Sequence, residues 1–123
     1  MVYNFDINNR AFNAIKNNTK RVEIRATKAG SNHFDYSKLK VDDEIIFESF
    51  SHEKILCKIL EINHYDSVEE LLIQEGTRYT LSSTNDFNEG IKSINSLDGY
   101  KEAIKVNGVY AIHIKYIGEY KNN

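Results

Sequence analysis

The order of segments predicts an α+β fold, a small twisted β-barrel with helices at its edge. Two observations carry this. Strand-like and helix-like stretches do not alternate regularly, which excludes a parallel sheet built of βαβ units. The longest β-rich run, Lys54 to His64, has apolar residues on both parities, as expected of a strand buried on both faces or bent by a bulge.

The elements follow in order. Val2 to Ile7 alternates as a strand does. Asn8 or Asn9 caps a short helix whose apolar face is Ala11, Phe12 and Ile15, and Lys16-Asn17-Asn18 ends it. A second strand runs from about Arg21 to Ala26. Thr27 to Tyr36 is a polar loop around Gly30-Ser31-Asn32, placed to act as a flap. Glu44 to Glu48 is a strand built on Ile45-Ile46-Phe47, and Lys54 to His64 follows it. Ser67 with Glu70 forms a capping box for a helix ended by Gly76. Phe87, Ile91 and Ile94 have helical spacing, as do Tyr100, Ala103 and Ile104. Gly108 ends the last helix, and Val109 to Tyr116 is the final strand.

The chain has 123 residues, enough for one domain with one core. It contains no run near the roughly 20 apolar residues of a membrane span and no signal-peptide pattern, so a cytoplasmic protein without membrane association is expected. Cys57, the only cysteine, cannot form an internal disulfide and suits a small core position. The four histidines are scattered, so no metal site is predicted, and no phosphate-binding glycine loop or other cofactor motif is present. His113, between Ile112 and Ile114, reads as structural. A net charge of −2 argues against broad duplex binding. It leaves room for a local basic cleft, because Lys16, Lys20, Arg21, Arg25 and Lys28 cluster while the acids fall elsewhere.

The cluster centres on Asn18-Thr19-Lys20-Arg21-Val22-Glu23-Ile24-Arg25. Strand parity sends Arg21, Glu23 and Arg25 to one face and Val22 and Ile24 to the other. A row of cation, anion and cation can hold an anionic or polar ligand. Lys20 belongs in the turn before the strand, free to swing over the same cleft. Tyr36, Tyr65, Tyr79 and Tyr100 lie at element ends, where a ring can stack on a base. Tyr65 and Tyr100 rank first.

Asn18, Lys20, Glu23 and Arg25 resemble the Gly-x-Lys-x-x-Glu-x-Arg signature of the ASCH domain family, within the PUA-like superfamily. Asn18 stands in the place of the first glycine, and Asn is the next residue to tolerate a left-handed backbone. Leu39-Lys40-Val41-Asp42-Asp43-Glu44-Ile45 resembles the family's entry into its next strand, with Asp42 in a glycine place. Glu89-Gly90-Ile91, Gly99-Tyr100 and Gly108-Val109-Tyr110-Ala111-Ile112 resemble its later segments. The resemblance spans about Tyr3 to Ile117. It implies a PUA-like β-pseudobarrel with flanking helices, and binding of RNA or a nucleotide through Lys20, Glu23, Arg25 and Arg21, with Tyr65 or Tyr100 stacking. It also implies an alternative. Some small ASCH-type proteins are amidohydrolases of acetylated cytidine, using Lys, Thr and Glu. Lys20 matches that Lys, but Glu23 stands in the place of the Thr, so a hydrolytic version would rely on Lys20 and a water activated by Glu23, with Glu70 or Glu75 as candidates for the remaining carboxylate. Nuclease activity, present in some relatives, is a lesser expectation.

Overall fold

The computed structural model describes residues 1–121. Five strands form one sheet in the order β1-β3-β4-β5-β2, where β1 is Val2–Asp6, β2 Val22–Arg25, β3 Glu44–Glu48, β4 Lys54–Tyr65 and β5 Val109–Glu119. Four helices accompany it: α1 Asn9–Lys16, α2 Val68–Glu75, α3 Phe87–Asn95 and α4 Tyr100–Asn107. β1 pairs in parallel with β3 and every other pairing is antiparallel. The sheet curls into a half-barrel.

The curl is built into β4 and β5. Their ladder shifts register between Leu56 and Cys57 and again between Ile59 and Glu61. An extra residue on one strand bends it and increases its twist. The second shift, which places Leu60 as the extra residue on β4, accounts for the mixed parity of the strand: Ile55, Cys57 and Ile59 enter the core before it, and Ile62 packs against the same core after it.

Two cores result. Phe5, Phe12, Ile15, Phe47, Ile55 and Ile112 are among the residues that fill the concave side of the sheet, with α1 closing it. Val22, Ile24, Ala26 and Ala111 pack with Val68, Leu71, Ile94 and Ile104, joining β2 and β5 to the helices α2, α3 and α4. β2 therefore divides its side chains between two environments. Val22 and Ile24 enter the helical core, while Glu23, opposite Ile112, faces the concave side together with Arg25.

The caps read from sequence are in place. The Asn8 side chain accepts from Ala11 N at 2.8 Å, and Ser67 Oγ accepts from Glu70 N at 3.1 Å. A short 3₁₀ turn at Tyr36–Lys38, capped by Asp35, was not legible in the sequence. It ends the loop after β2. That loop is pinned at its far end, with Phe34 lying 5.0 Å from the Phe5 ring and 5.3 Å from Tyr3, centroid to centroid, and Tyr36 N donating to Thr27 Oγ1.

Because β1 and β2 are the two edges of the sheet, the half-barrel has an open seam between them. Arg25 spans it: its Nη2 donates to the Asp6 carbonyl oxygen at 2.9 Å.

Candidate functional site

The seam opens into a cleft of about 330 Å³ whose lining includes Lys20, Glu23, Arg25, Thr80, Arg10 and Tyr100. Local structure explains how they converge. After α1 the chain turns through Asn18 at φ 63°, a left-handed position where a short amide side chain is tolerated. Thr19 N and Lys20 N both donate to Ala14 O, which folds the turn back under the helix. Lys20 thus sits just ahead of β2, as its parity required, with its side chain turned inward.

It is not free to swing. The Lys20 ammonium donates to Val22 O at 2.7 Å and Thr80 O at 2.6 Å, and stands 3.4 Å from Glu23 Oε1. An ammonium has three protons, so these three acceptors account for all of them. Burial pulls the Lys20 pKa below the ordinary lysine value, and the Glu23 carboxylate offsets part of that.

Glu23 Oε2 lies 2.8 Å from both Nε and Nη2 of Arg25. Burial would raise the Glu23 pKa, but the charges of Arg25 and Lys20 more than reverse it, so the carboxyl titrates below its ordinary value. Arg25 is also reached by the Tyr36 hydroxyl, 3.3 Å from Nη1. Burial acts to lower its pKa and Glu23 raises it by more. The three groups carry a formal charge of +1. Glu23 Oε1, with only the longer contact to Lys20, keeps capacity to accept another hydrogen bond, and Nη1 of Arg25 keeps a proton to donate.

Thr80 was missed by sequence reasoning. It lies between helices in a stretch without periodicity, where no pattern marks a buried residue. The stretch is fixed by the Tyr79 carbonyl, which accepts from Arg21 N at 2.7 Å and Val22 N at 3.1 Å. Thr80 is 1 % exposed, and its hydroxyl is the one buried side-chain polar atom without a partner among the described residues. An unpaired buried hydroxyl costs roughly 1–3 kcal/mol. Thr80→Val, of nearly the same shape, is therefore expected to raise the melting temperature, measured by calorimetry, while weakening any ligand that uses the hydroxyl. Arg10 was missed as well. It projects from the exposed side of α1, and its one side-chain bond among the described residues is a 3.5 Å contact from Nε to Ser82 Oγ.

The remaining expected site residues divide. Tyr100 is at the cleft, and burial pushes its hydroxyl up to about 12. Arg21 is not in the cleft, a correction to the parity argument. β2 begins at Val22, and the Arg21 guanidinium lies 4.1 Å from the Tyr79 ring centroid, lining a neighbouring hollow. Tyr65 is also elsewhere. It donates to Glu75 Oε2 at 2.6 Å, in a cluster where Asn63 donates to the same oxygen and His113 Nε2 lies 2.7 Å from Glu75 Oε1. Glu75 is thus committed there and does not join Lys20. Among the described residues no three His, Cys, Asp or Glu side chains are grouped to hold a metal ion, and no helix is long and apolar enough to cross a membrane.

The Glu75 cluster predicts a pH effect. Burial raises the Glu75 pKa, but its hydrogen bonds to Tyr65 and Asn63 and the neighbouring His113 bring it below 4.5. A carboxyl with a depressed folded pKa contributes stability that is present above its unfolded value and lost as pH falls through the folded one. Glu23 acts in the same direction. Thermal stability is expected to fall as pH drops below 4.5, the ordinary glutamate value. Glu75→Gln should flatten that acid limb in a series of melting curves, leaving the Glu23 contribution.

No family model matches the chain, and no curated protein does. Solved structures do. The crystal structure of hypothetical protein PH0355 superposes with a TM-score of 0.80 at 27% identity, over 95% of this chain and 100% of that one. The solution structure of protein PF0455 from Pyrococcus furiosus gives 0.71 at 23% identity, over 95% and 98%. The α+β half-barrel described above is therefore similar to known folds along nearly its whole length.

Proposed function

We propose that this chain is an ASCH-type, PUA-like domain that binds a nucleotide, free or within RNA, in the cleft at the β1–β2 seam. The observation that carries this reading is the convergence of buried Lys20 and Glu23 and half-buried Arg25, net cationic, on a cleft large enough for a nucleobase. Further support comes from the turns. Asn18 and Asp42, the two residues standing in glycine places of the ASCH pattern, have φ of 63° and 75°.

The chemistry fits a base edge. Glu23 offers an acceptor, Arg25 a donor and Thr80 a hydroxyl that can do either. Ile24, Ile94 and Leu97 supply apolar surface for the ring, and Tyr100 an aromatic wall. Arg10 stands among hydroxyls of Ser82 and Ser83, where a phosphate would find donors. Binding is better supported than hydrolysis of acetylated cytidine, because the Lys20 ammonium is tied to the Val22 and Thr80 carbonyls and faces Glu23, a structural anchorage, and Glu23 stands in the place of the threonine nucleophile.

Fluorescence anisotropy with labelled single-stranded RNA and tRNA, at low and physiological salt, tests this. Wild type should bind saturably, and Arg10→Ala, which removes an exposed side chain from the cleft mouth, should weaken binding without lowering the melting temperature. Absence of binding by wild type at low salt, together with no binding of mononucleotides by calorimetry, would overturn the reading.

A further inference from the structure

The chain has four arginines among its basic residues, Arg10, Arg21, Arg25 and Arg78. All four line either the cleft or the adjoining hollow of about 470 Å³, which share Leu81 and Ser82 as a common rim. Arg25 is paired with Glu23. The other three form no salt bridge among the described residues. Arg21 and Arg78 lie 4.1 and 5.1 Å from the Tyr79 ring centroid. Among the residues lining this hollow there is no carboxylate.

A guanidinium stacked on an aromatic ring is held in place with its N–H edge left for a planar or tetrahedral anion. Two such groups on one ring, without counter-charges, on a chain whose net charge is −2, mark a place prepared for phosphate. A mononucleotide in the cleft has no need of it. A strand that leaves the cleft across Ser82 would meet it next.

We propose that the Arg21–Tyr79–Arg78 stack is a second contact for the backbone of a single-stranded nucleic acid whose base occupies the cleft. This rests on the nucleotide-binding reading above and extends it from one nucleotide to a strand. Tyr79 is a positioning residue that holds the two guanidiniums.

The test compares wild type with Arg21→Ala/Arg78→Ala, using a ten-residue oligocytidylate RNA by anisotropy across a salt series and cytidine monophosphate by calorimetry. The Arg21 and Arg78 side chains make no hydrogen bonds among the described residues, so the fold should hold. Arg21→Gln/Arg78→Gln, which keeps side-chain bulk over the ring, is the second variant. Both are expected to bind the RNA at least about tenfold more weakly near 0.1 M salt. The log–log salt slope should shrink by about 1.4, at roughly 0.7 per lost single-strand phosphate contact. Cytidine monophosphate should bind all three proteins alike. Wild type that binds both ligands, with variants unchanged in RNA affinity and slope, would overturn the second contact and leave the cleft reading standing. An oligonucleotide bound no more tightly than the monophosphate would do the same. Wild type that binds neither ligand would remove the cleft reading and the inference together.

Discussion

Lys20→Met is expected to lower the stability of the fold by about 3–5 kcal/mol, the cost of removing one partner from a buried ion pair. The mutation leaves Glu23 buried with a single cation and strips the Val22 and Thr80 carbonyls of their donor. Against a total of roughly 5–15 kcal/mol for a domain, that is a large fraction, and the melting temperature should fall on the order of 10–20 °C. Chemical denaturation of the two proteins measures it. The ion pair also predicts non-additivity. Glu23→Gln should cost at least about 1 kcal/mol less in the Lys20→Met background than alone, since residues sharing one network couple. A loss below about 1 kcal/mol for Lys20→Met would mean the ammonium is not held as described. Loss of ligand binding in Lys20 variants cannot separate a binder from an enzyme, because the residue also holds the cleft floor together. Thr80 and Arg10 are the positions for that purpose.

Glu23→Gln is the second large effect, and its readout is ligand preference. Glu23 Oε1 presents an acceptor to the cleft. A carboxylate accepts from the exocyclic amine of cytosine and repels the carbonyl that uracil carries in its place. Wild type is therefore expected to bind cytidine monophosphate more tightly than uridine monophosphate by about tenfold or more, in line with 1–3 kcal/mol per base-edge contact. Gln can turn an amide N–H to the cleft, so the preference should vanish or reverse. Competition calorimetry at pH 7 reads the ratio. An unchanged ratio in a folded Glu23→Gln protein would mean that Glu23 orients Arg25 without touching the base.

Much of the frame was legible because it depends on local rules. The cap at Asn8, the strand on Ile45-Ile46-Phe47 and the stop at Gly108 follow from side-chain chemistry and periodicity, and all stand in the structure. The split of β2 into Val22 and Ile24 on one side and Glu23 and Arg25 on the other followed from parity. Parity failed one residue earlier. Arg21 precedes the strand, and its N–H goes to Tyr79 rather than to the neighbouring strand β5. That bond joins residues far apart in sequence, and no local signal announces it. The same contact buries Thr80 and brings Arg78 beside Arg21. The two tyrosines ranked first separated for a similar reason. Tyr100 starts a helix that borders the seam, whereas Tyr65 ends β4 within reach of the Glu75 carboxylate, and only the tertiary fold distinguishes them.

The most direct test of the account is an NMR titration of the isotope-labelled protein with cytidine monophosphate, following backbone amides. The cleft account predicts saturable shifts that cluster at Lys20 to Arg25, at Thr80 and Leu81, and at Tyr100. Absence of saturable shifts, or shifts confined to the Glu75–His113 side of the sheet, would contradict it.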